Sequence, residues 1–211
     1  MREVYVEQDV MNDLSRRSFL RDSAVTIAGA TMINASQPMT AQAQDSGGSA
    51  LLDGAQLVAV RLNINGAVRT AHVAASMTLA EVLRGRLGLT GTKIACNRGA
   101  CSACTVWLDS MPICACMMLA VDVGTRSVTT IEGLAQGETL HPVQQAFIDH
   151  DALQCGYCTP GMIMSCAALL RRNPEPNADE VRAAISGHYC RCGTYPHVIA
   201  ATLAAAKAQG G

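Results

Sequence analysis

The sequence predicts an α+β chain in which a strand-rich module is followed by an all-helical one. Three observations carry that reading. Apolar residues alternate through Val58, Val60, Leu62 and Ile64 up to an Asn65-Gly66 pair, the period-2 pattern of a half-buried strand entering a two-residue hairpin turn. Beyond Gly137 the pattern changes to helical spacing. Three helix-start signals then follow, at His141-Pro142, Thr159-Pro160 and Asn177-Ala178-Asp179-Glu180.

Taken in order, a first strand is expected over Gln56 to Ile64 and its return over Ala67 to Val73. Thr78-Leu79-Ala80-Glu81 is a capping box: the Thr hydroxyl and the Glu carboxylate each take an orphan backbone N–H, opening a helix expected to reach Leu87. Val106 to Leu108, a turn at Asp109-Ser110 and a run from Ile113 read as a second hairpin, and Val128 to Ile131 adds an edge strand. In the second module the first helix runs to about His150. The next runs from Thr159 to Arg172 and ends at Asn173-Pro174, because proline disfavours helix at the residue before it. A third runs to about Ser186, and Pro196 opens the fourth.

The 211 residues suffice for one or two small domains, and a 49% hydrophobic content marks a globular chain. No apolar run approaches the roughly 18 to 20 residues that a membrane span needs. Lys+Arg 16 against Asp+Glu 17 gives a formal charge of -1, which lacks the basic footprint of a nucleic-acid binder. One Trp, four Tyr and two Phe cannot supply much of a core, so ten cysteines become the expected source of extra stability.

The N-terminus reads as an address. Arg16-Arg17 stands directly before Phe19-Leu20 with only Ser18 between, an apolar stretch runs from Ala24 to Ala35, and Ala41-Gln42-Ala43 is a small-x-small site. Together these make a twin-arginine export signal over 1–43, cleaved after Ala43, with a linker over 44–54 and a periplasmic destination. That route carries folded proteins, which suits a chain that acquires a cofactor before export.

Cys96, Cys101 and Cys104 stand at C-x4-C-x2-C spacing, with Cys116 after eleven further residues. This is the plant-type ferredoxin arrangement, in which four thiolates hold a 2Fe-2S cluster; soft, electron-rich sulfur stabilises both iron oxidation states. Zinc and disulfides are the alternatives. Zinc sites usually show paired C-x2-C knuckles, and disulfides suit an exported chain, although closely spaced cysteines in a Gly-containing loop are poorly placed for independent bridges. A second set is Cys155-Gly156-Tyr157-Cys158 and Cys190-Arg191-Cys192. Both pairs fall at helix entrances, where unpaired N–H groups favour an anion. Cys114 and Cys166 are left over: Cys114 would face the same way as Cys116 on a strand and is a surrogate ligand at best, and Cys166 reads as a small buried hydrophobe. His188, two residues before Cys190, is read as an ordinary loop histidine rather than a Rieske-type ligand. Met117-Met118 reads as core packing.

On these residues the chain resembles the iron-sulfur subunits of the molybdenum hydroxylases, the xanthine oxidase and aldehyde oxidoreductase family, and among them the periplasmic aldehyde oxidoreductase and isoquinoline 1-oxidoreductase small subunits. Supporting segments are Gly91-Thr92-Lys93, Ala103-Cys104-Thr105-Val106, Thr130-Ile131-Glu132-Gly133-Leu134, His141-Pro142-Val143-Gln144, Gln154 through Gly161, and Cys190-Arg191-Cys192-Gly193. Ser102 replaces the family's usual Gly, and Gly193-Thr194-Tyr195 replaces its usual Thr-Gly-Tyr. The resemblance implies a β-grasp, plant-type 2Fe-2S ferredoxin-like domain (55–135) and an all-α four-helix 2Fe-2S-binding domain (139–208). It implies that Cys96, Cys101, Cys104 and Cys116 hold one cluster and Cys155, Cys158, Cys190 and Cys192 the other. It further implies that Cys192 approaches, and Gln154 hydrogen-bonds, a molybdopterin-type cofactor held by a large catalytic subunit. Substrate chemistry, the insertion of water-derived oxygen into an aldehyde or N-heteroaromatic, would belong to that partner, and this chain would relay the electrons. A FAD subunit and a cytochrome c are both compatible acceptors. The competing classes are a free-standing two-cluster ferredoxin, an exported disulfide-stapled binding module, and a succinate-dehydrogenase-like iron-sulfur subunit, which lacks the C-G-Y-C and C-R-C pair.

Overall fold

The computed structural model describes residues 56–209; the export segment expected over 1–43 and the linker over 44–54 lie outside them. Strands β1 (Leu57–Ile64) and β2 (Ala67–Ala74) form the expected antiparallel hairpin, Ile64 facing Ala67 and Leu57 facing Ala74. Asn65 and Gly66 close it at φ 53° and 79°, the two left-handed positions that a type I′ turn requires. Helix α1 (Leu79–Gly85) starts at the expected box: Thr78 Oγ1 accepts from the Glu81 amide at 3.3 Å, and the Glu81 carboxylate accepts from the Thr78 amide at 2.8 Å. It stops two residues short of Leu87. The Leu87 and Leu89 amides reach back to the Val82 and Leu83 carbonyls around Gly88, at φ 69°, a glycine-closed helix end.

The second hairpin is β3 (Thr105–Leu108) with β4 (Met111–Cys114), joined by Asp109 and Ser110 at positive φ. Strand β5 (Ser127–Thr129) corrects an expectation: it is central, not an edge. The strand order is β2-β1-β5-β3-β4, with β5 parallel to β1 through Ile64 and Val128 and antiparallel to β3 through Leu108 and Val128. A three-residue strand carries too little alternation to reveal its place in the sheet, and Ile131 has already left it for a 3-10 turn, Ile131–Gly133. Cys116 also leaves its strand, sitting in the turn Ala115–Met117, so it and Cys114 do not share one strand face.

Helices α2 (Pro142–Asp149), α3 (Thr159–Arg172), α4 (Ala178–Ala184) and α5 (Tyr195–Gln209) follow. No helix among the described residues is long and apolar enough to cross a membrane. Two hydrophobic cores form. One gathers Leu62, Ile64, Val73, Leu79, Val82, Leu83, Val106 and Val128 between the sheet and α1; the other gathers Val143, Phe147, Met162, Met164, Ile185, Val198 and Ala201 among the helices. Strand β3 serves both. All four of its residues are buried, with Val106 and Leu108 in the first core and Trp107 in the second. Both faces of this short strand are therefore covered, and α3 packs directly against it.

Candidate metal centre

The loop between α1 and β3 carries three of the first four cysteines, and its backbone is bent to present sulfur. Asn97, Gly99 and Ser102 are left-handed, at φ 48°, 74° and 54°. At Gly99 a Cβ would also meet Met117 Cγ at 2.9 Å, so a side chain there would have to displace Met117 as well as adopt a strained φ. The φ of Ser102 gives a physical reason for glycine being usual at that position. With the loop so turned, the Gly99 amide donates to Cys116 Sγ and the Ala100 amide to Cys96 Sγ, both at 3.3 Å. Backbone dipoles, the Arg98 amide first, hold the Cys96 thiol down at about 7, toward the thiolate that iron requires.

Cys104 and Cys116 are buried while Cys96 and Cys101 are half-buried. Cys114 lies against Cys104: the hydrogen bond between them, then burial, pushes the Cys104 thiol up, while the same hydrogen bond holds Cys114 down at about 6 against the opposing effect of burial. The Ser102 hydroxyl also reaches Cys114 Sγ, at 3.7 Å. The segment leading to Cys96 is clamped from Thr130 to Gly133. Glu132 Oε1 accepts from the Gly91 amide at 2.8 Å, Glu132 Oε2 accepts from the Thr130 hydroxyl at 2.6 Å, and Thr130 is tied in turn to Asn65. A Cβ on Gly91 would strike Ile131 Cγ2 at 2.3 Å.

The second four stand at two helix entrances. Cys158 is the N-cap of α3, and Cys190 and Cys192 precede α5; Gly156 and Gly193 take φ 78° and 77°. The Gly-Thr order after Cys192 thus puts glycine at the left-handed position and leaves Thr194 buried, its Oγ1 3.2 Å from Cys190 Sγ. Burial resists ionisation of Cys190, but the Thr194 hydroxyl and amide outweigh it and hold the thiol down at about 7. Burial pushes Cys158 up to about 12. The Tyr195 hydroxyl accepts from the Cys190 amide at 2.8 Å and donates to the His188 carbonyl at 2.9 Å, closing the Cys190 loop. His188 is buried, its Nε2 2.7 Å from Ser165 Oγ, in a polar contact rather than among the thiols. Cys166 is fully buried on α3, and burial pushes its thiol up to about 11, as expected of a packing residue. Gln154 and Cys155 are adjacent and exposed.

Among the described residues no three His, Cys, Asp or Glu side chains converge on a single metal ion. The thiols associate instead around Cys96 with Cys101, Cys104 with Cys114 and Cys116, and Cys158 with Cys190 and Cys155. A 2Fe-2S cluster asks for two thiolates on each of two irons, and the amides and hydroxyl aimed at sulfur suit its negative charge. The donor set fits that group. The contacts of Thr194, Tyr195 and Glu132, and that of the Tyr157 hydroxyl with the Ile94 carbonyl, are not legible in the motifs that contain these residues, because their partners are fixed only by tertiary packing.

The 2Fe-2S binding domain family matches residues 130–203. The aldehyde oxidoreductase iron-sulfur-binding subunit PaoA of Escherichia coli K12 is 38% identical over 208 residues, covering 89% of this chain and 86% of its own length. The chain belongs to the iron-sulfur subunits of the molybdenum hydroxylases. Among solved structures of that family, quinoline 2-oxidoreductase from Pseudomonas putida 86 aligns at TM-score 0.70 and 45% identity, covering 73% of this chain and 96% of the matched one. The aldehyde oxidoreductase of Desulfovibrio gigas aligns at TM-score 0.69 and 38% identity over 73% of this chain, which is 17% of that longer chain. Like other iron-sulfur subunits of this family, the chain is an electron-transfer component of an oxidoreductase.

Proposed function

We propose that the chain holds two 2Fe-2S clusters, one on Cys96, Cys101, Cys104 and Cys116 in a ferredoxin-like domain (55–135), the other on Cys155, Cys158, Cys190 and Cys192 in a helical domain (139–208). The observation that carries this reading is the hydrogen bond from the Tyr157 hydroxyl to the Ile94 carbonyl, 2.6 Å. It ties the middle of the C-G-Y-C segment to the residue two before Cys96, so that the two thiol sets are built against each other as a relay needs.

Each cluster, when bound, supplies a one-electron store between a two-electron reaction on the partner and a downstream acceptor. The chain's residues do the holding and the tuning. Backbone amides at Gly99 and Ala100 and the Thr194 hydroxyl donate to sulfur and offset its charge. Gln154 and Cys192 are the proposed contacts to the partner's pterin, and the exposure of Gln154 leaves its amide available to one. The proposed substrates are aldehydes or N-heteroaromatics, the two classes in the names of its relatives. The final acceptor is a FAD subunit or a cytochrome c.

The same proposal places the mature protein in the periplasm, exported folded by the twin-arginine route. The PaoA alignment covers more of the chain than residues 56–209, so the likeness extends into the segment that carries Arg16-Arg17. Purifying the native complex from a periplasmic fraction and assaying it on an aldehyde and an N-heteroaromatic panel tests this. Molybdenum and iron in the same complex, with oxidation of one panel, is the expected result; a small chain recovered alone with zinc, or in the cytoplasm, contradicts it.

A further inference from the structure

Two consecutive carbonyls of the Cys96–Cys104 loop are met by the two halves of the second cysteine set. The Tyr189 amide, one residue before Cys190, donates to the Cys101 carbonyl at 3.3 Å. Gly161, three residues after Cys158 and in the first turn of α3, lies against the next carbonyl. A Cβ built on it would stand 2.4 Å from Ser102 O and 3.2 Å from both Ala103 Cα and Ala103 O. All three obstacles are backbone, so no rotamer change relieves them. Ser102 O is also engaged within its own loop, accepting from the Thr105 amide at 3.2 Å and the Thr105 hydroxyl at 2.7 Å, so moving it alone costs those bonds.

We infer that Gly161 is a positioning residue for electron transfer: its missing side chain sets how closely the Cys155/158/190/192 site approaches the Cys96/101/104/116 site. The inference rests on the two-cluster reading. In Gly161→Ala the new Cβ, which would stand 2.4 Å from Ser102 O, must reach at least the 3.0 Å that real Cβ contacts respect, so α3 and the loop are pushed apart and the Tyr189–Cys101 bond beside them is loosened. Gly187→Ala is the control in the same seam, since a Cβ there meets only Ser102 Oγ, at 3.4 Å.

The test uses the complete holoprotein, with iron counted, both clusters reduced and their mutual spin coupling read by low-temperature electron paramagnetic resonance. Exchange of the Tyr189 amide is followed by mass spectrometry. Gly161→Ala is expected to keep about four irons, to show a measurably smaller spin–spin splitting, and to exchange the Tyr189 amide about tenfold faster, the change that losing one hydrogen bond produces. Gly187→Ala is expected to match the parent in all three. Unchanged splitting in a Gly161→Ala protein with full iron overturns the inference, as does an equal effect from Gly187→Ala. Should Gly161→Ala fail to fold, the parent decides: a Tyr189 amide that exchanges as fast as exposed amides overturns it. Only about two irons in the parent would instead sink the two-cluster reading itself.

Discussion

The Trp107 indole Nε1 donates to the Met164 carbonyl at 2.8 Å, a buried bond between a strand of the sheet and the middle of α3. Arg171, two turns further along the same helix, places its guanidinium 4.9 Å from the Trp107 ring centroid. The single tryptophan of the chain thereby fastens the helical core to β3. Trp107→Phe keeps an aromatic ring but removes the donor and leaves space. The expected cost is about 1–3 kcal/mol in denaturant unfolding of the holoprotein; an effect below the measurement error would show that the bond adds nothing.

Stability should depend on pH through His141. Its Nδ1 accepts from the Val143 amide at 3.2 Å, capping α2, and burial, then the Arg171 guanidinium, hold its pKa below the usual 6.5. The unfolded chain therefore takes up this proton before the folded one does. The contribution is complete above about pH 6.5 and is lost as pH falls through the lower folded value. His141→Asn supplies a cap that does not titrate. Relative to the parent, this variant is expected to gain stability between pH 7.5 and pH 5, as measured by paired denaturant titrations; a constant difference would contradict the account.

Thr194→Val removes the hydroxyl that lies 3.2 Å from Cys190 sulfur. With the thiolate on iron, that hydroxyl is the donor, and donation to cluster sulfur favours the more negative, reduced state. The midpoint potential of the helical module's cluster should fall by on the order of tens of millivolts in a potentiometric titration, with the other cluster unmoved. A rise, or an equal shift in both, would count against the contact.

Cys114 and Cys116 should separate cleanly. Both reach Gly99, but in opposite senses: Cys116 Sγ accepts from the Gly99 amide at 3.3 Å, as a thiolate would, whereas Cys114 Sγ donates to the Gly99 carbonyl at 3.9 Å and touches the Ser102 hydroxyl and Cys104. Cys116→Ala is expected to lose about two irons per chain and Cys114→Ala none, counted by metal analysis of anaerobically prepared protein. Iron loss on Cys114→Ala alone would exchange their roles.

What could be read in the sequence was local. Asn65-Gly66, the Thr78 and Asn177 boxes and Pro142 each fix a boundary through the chemistry of a few neighbouring residues, and the structure puts hairpin and helix starts there. Cysteine spacing likewise names two sets without any structure. The place of β5 is non-local, since Val128 pairs with Ile64 and Leu108 from distant parts of the chain, and three residues hold no pattern that says so. Trp107 reads as one more residue of a half-buried hairpin; that both faces of its strand are covered depends on where α3 lands. Gly161 follows a proline in a helix start, which explains it well enough in sequence. Only the packed loop reveals that its Cβ would have nowhere to go.

The most direct measurement is iron per polypeptide together with low-temperature electron paramagnetic resonance of the dithionite-reduced chain, prepared without oxygen. About four irons and two distinct rhombic 2Fe-2S signals are the predicted result. A colourless protein with no iron and no signal would contradict the account and return the cysteines to zinc or disulfides.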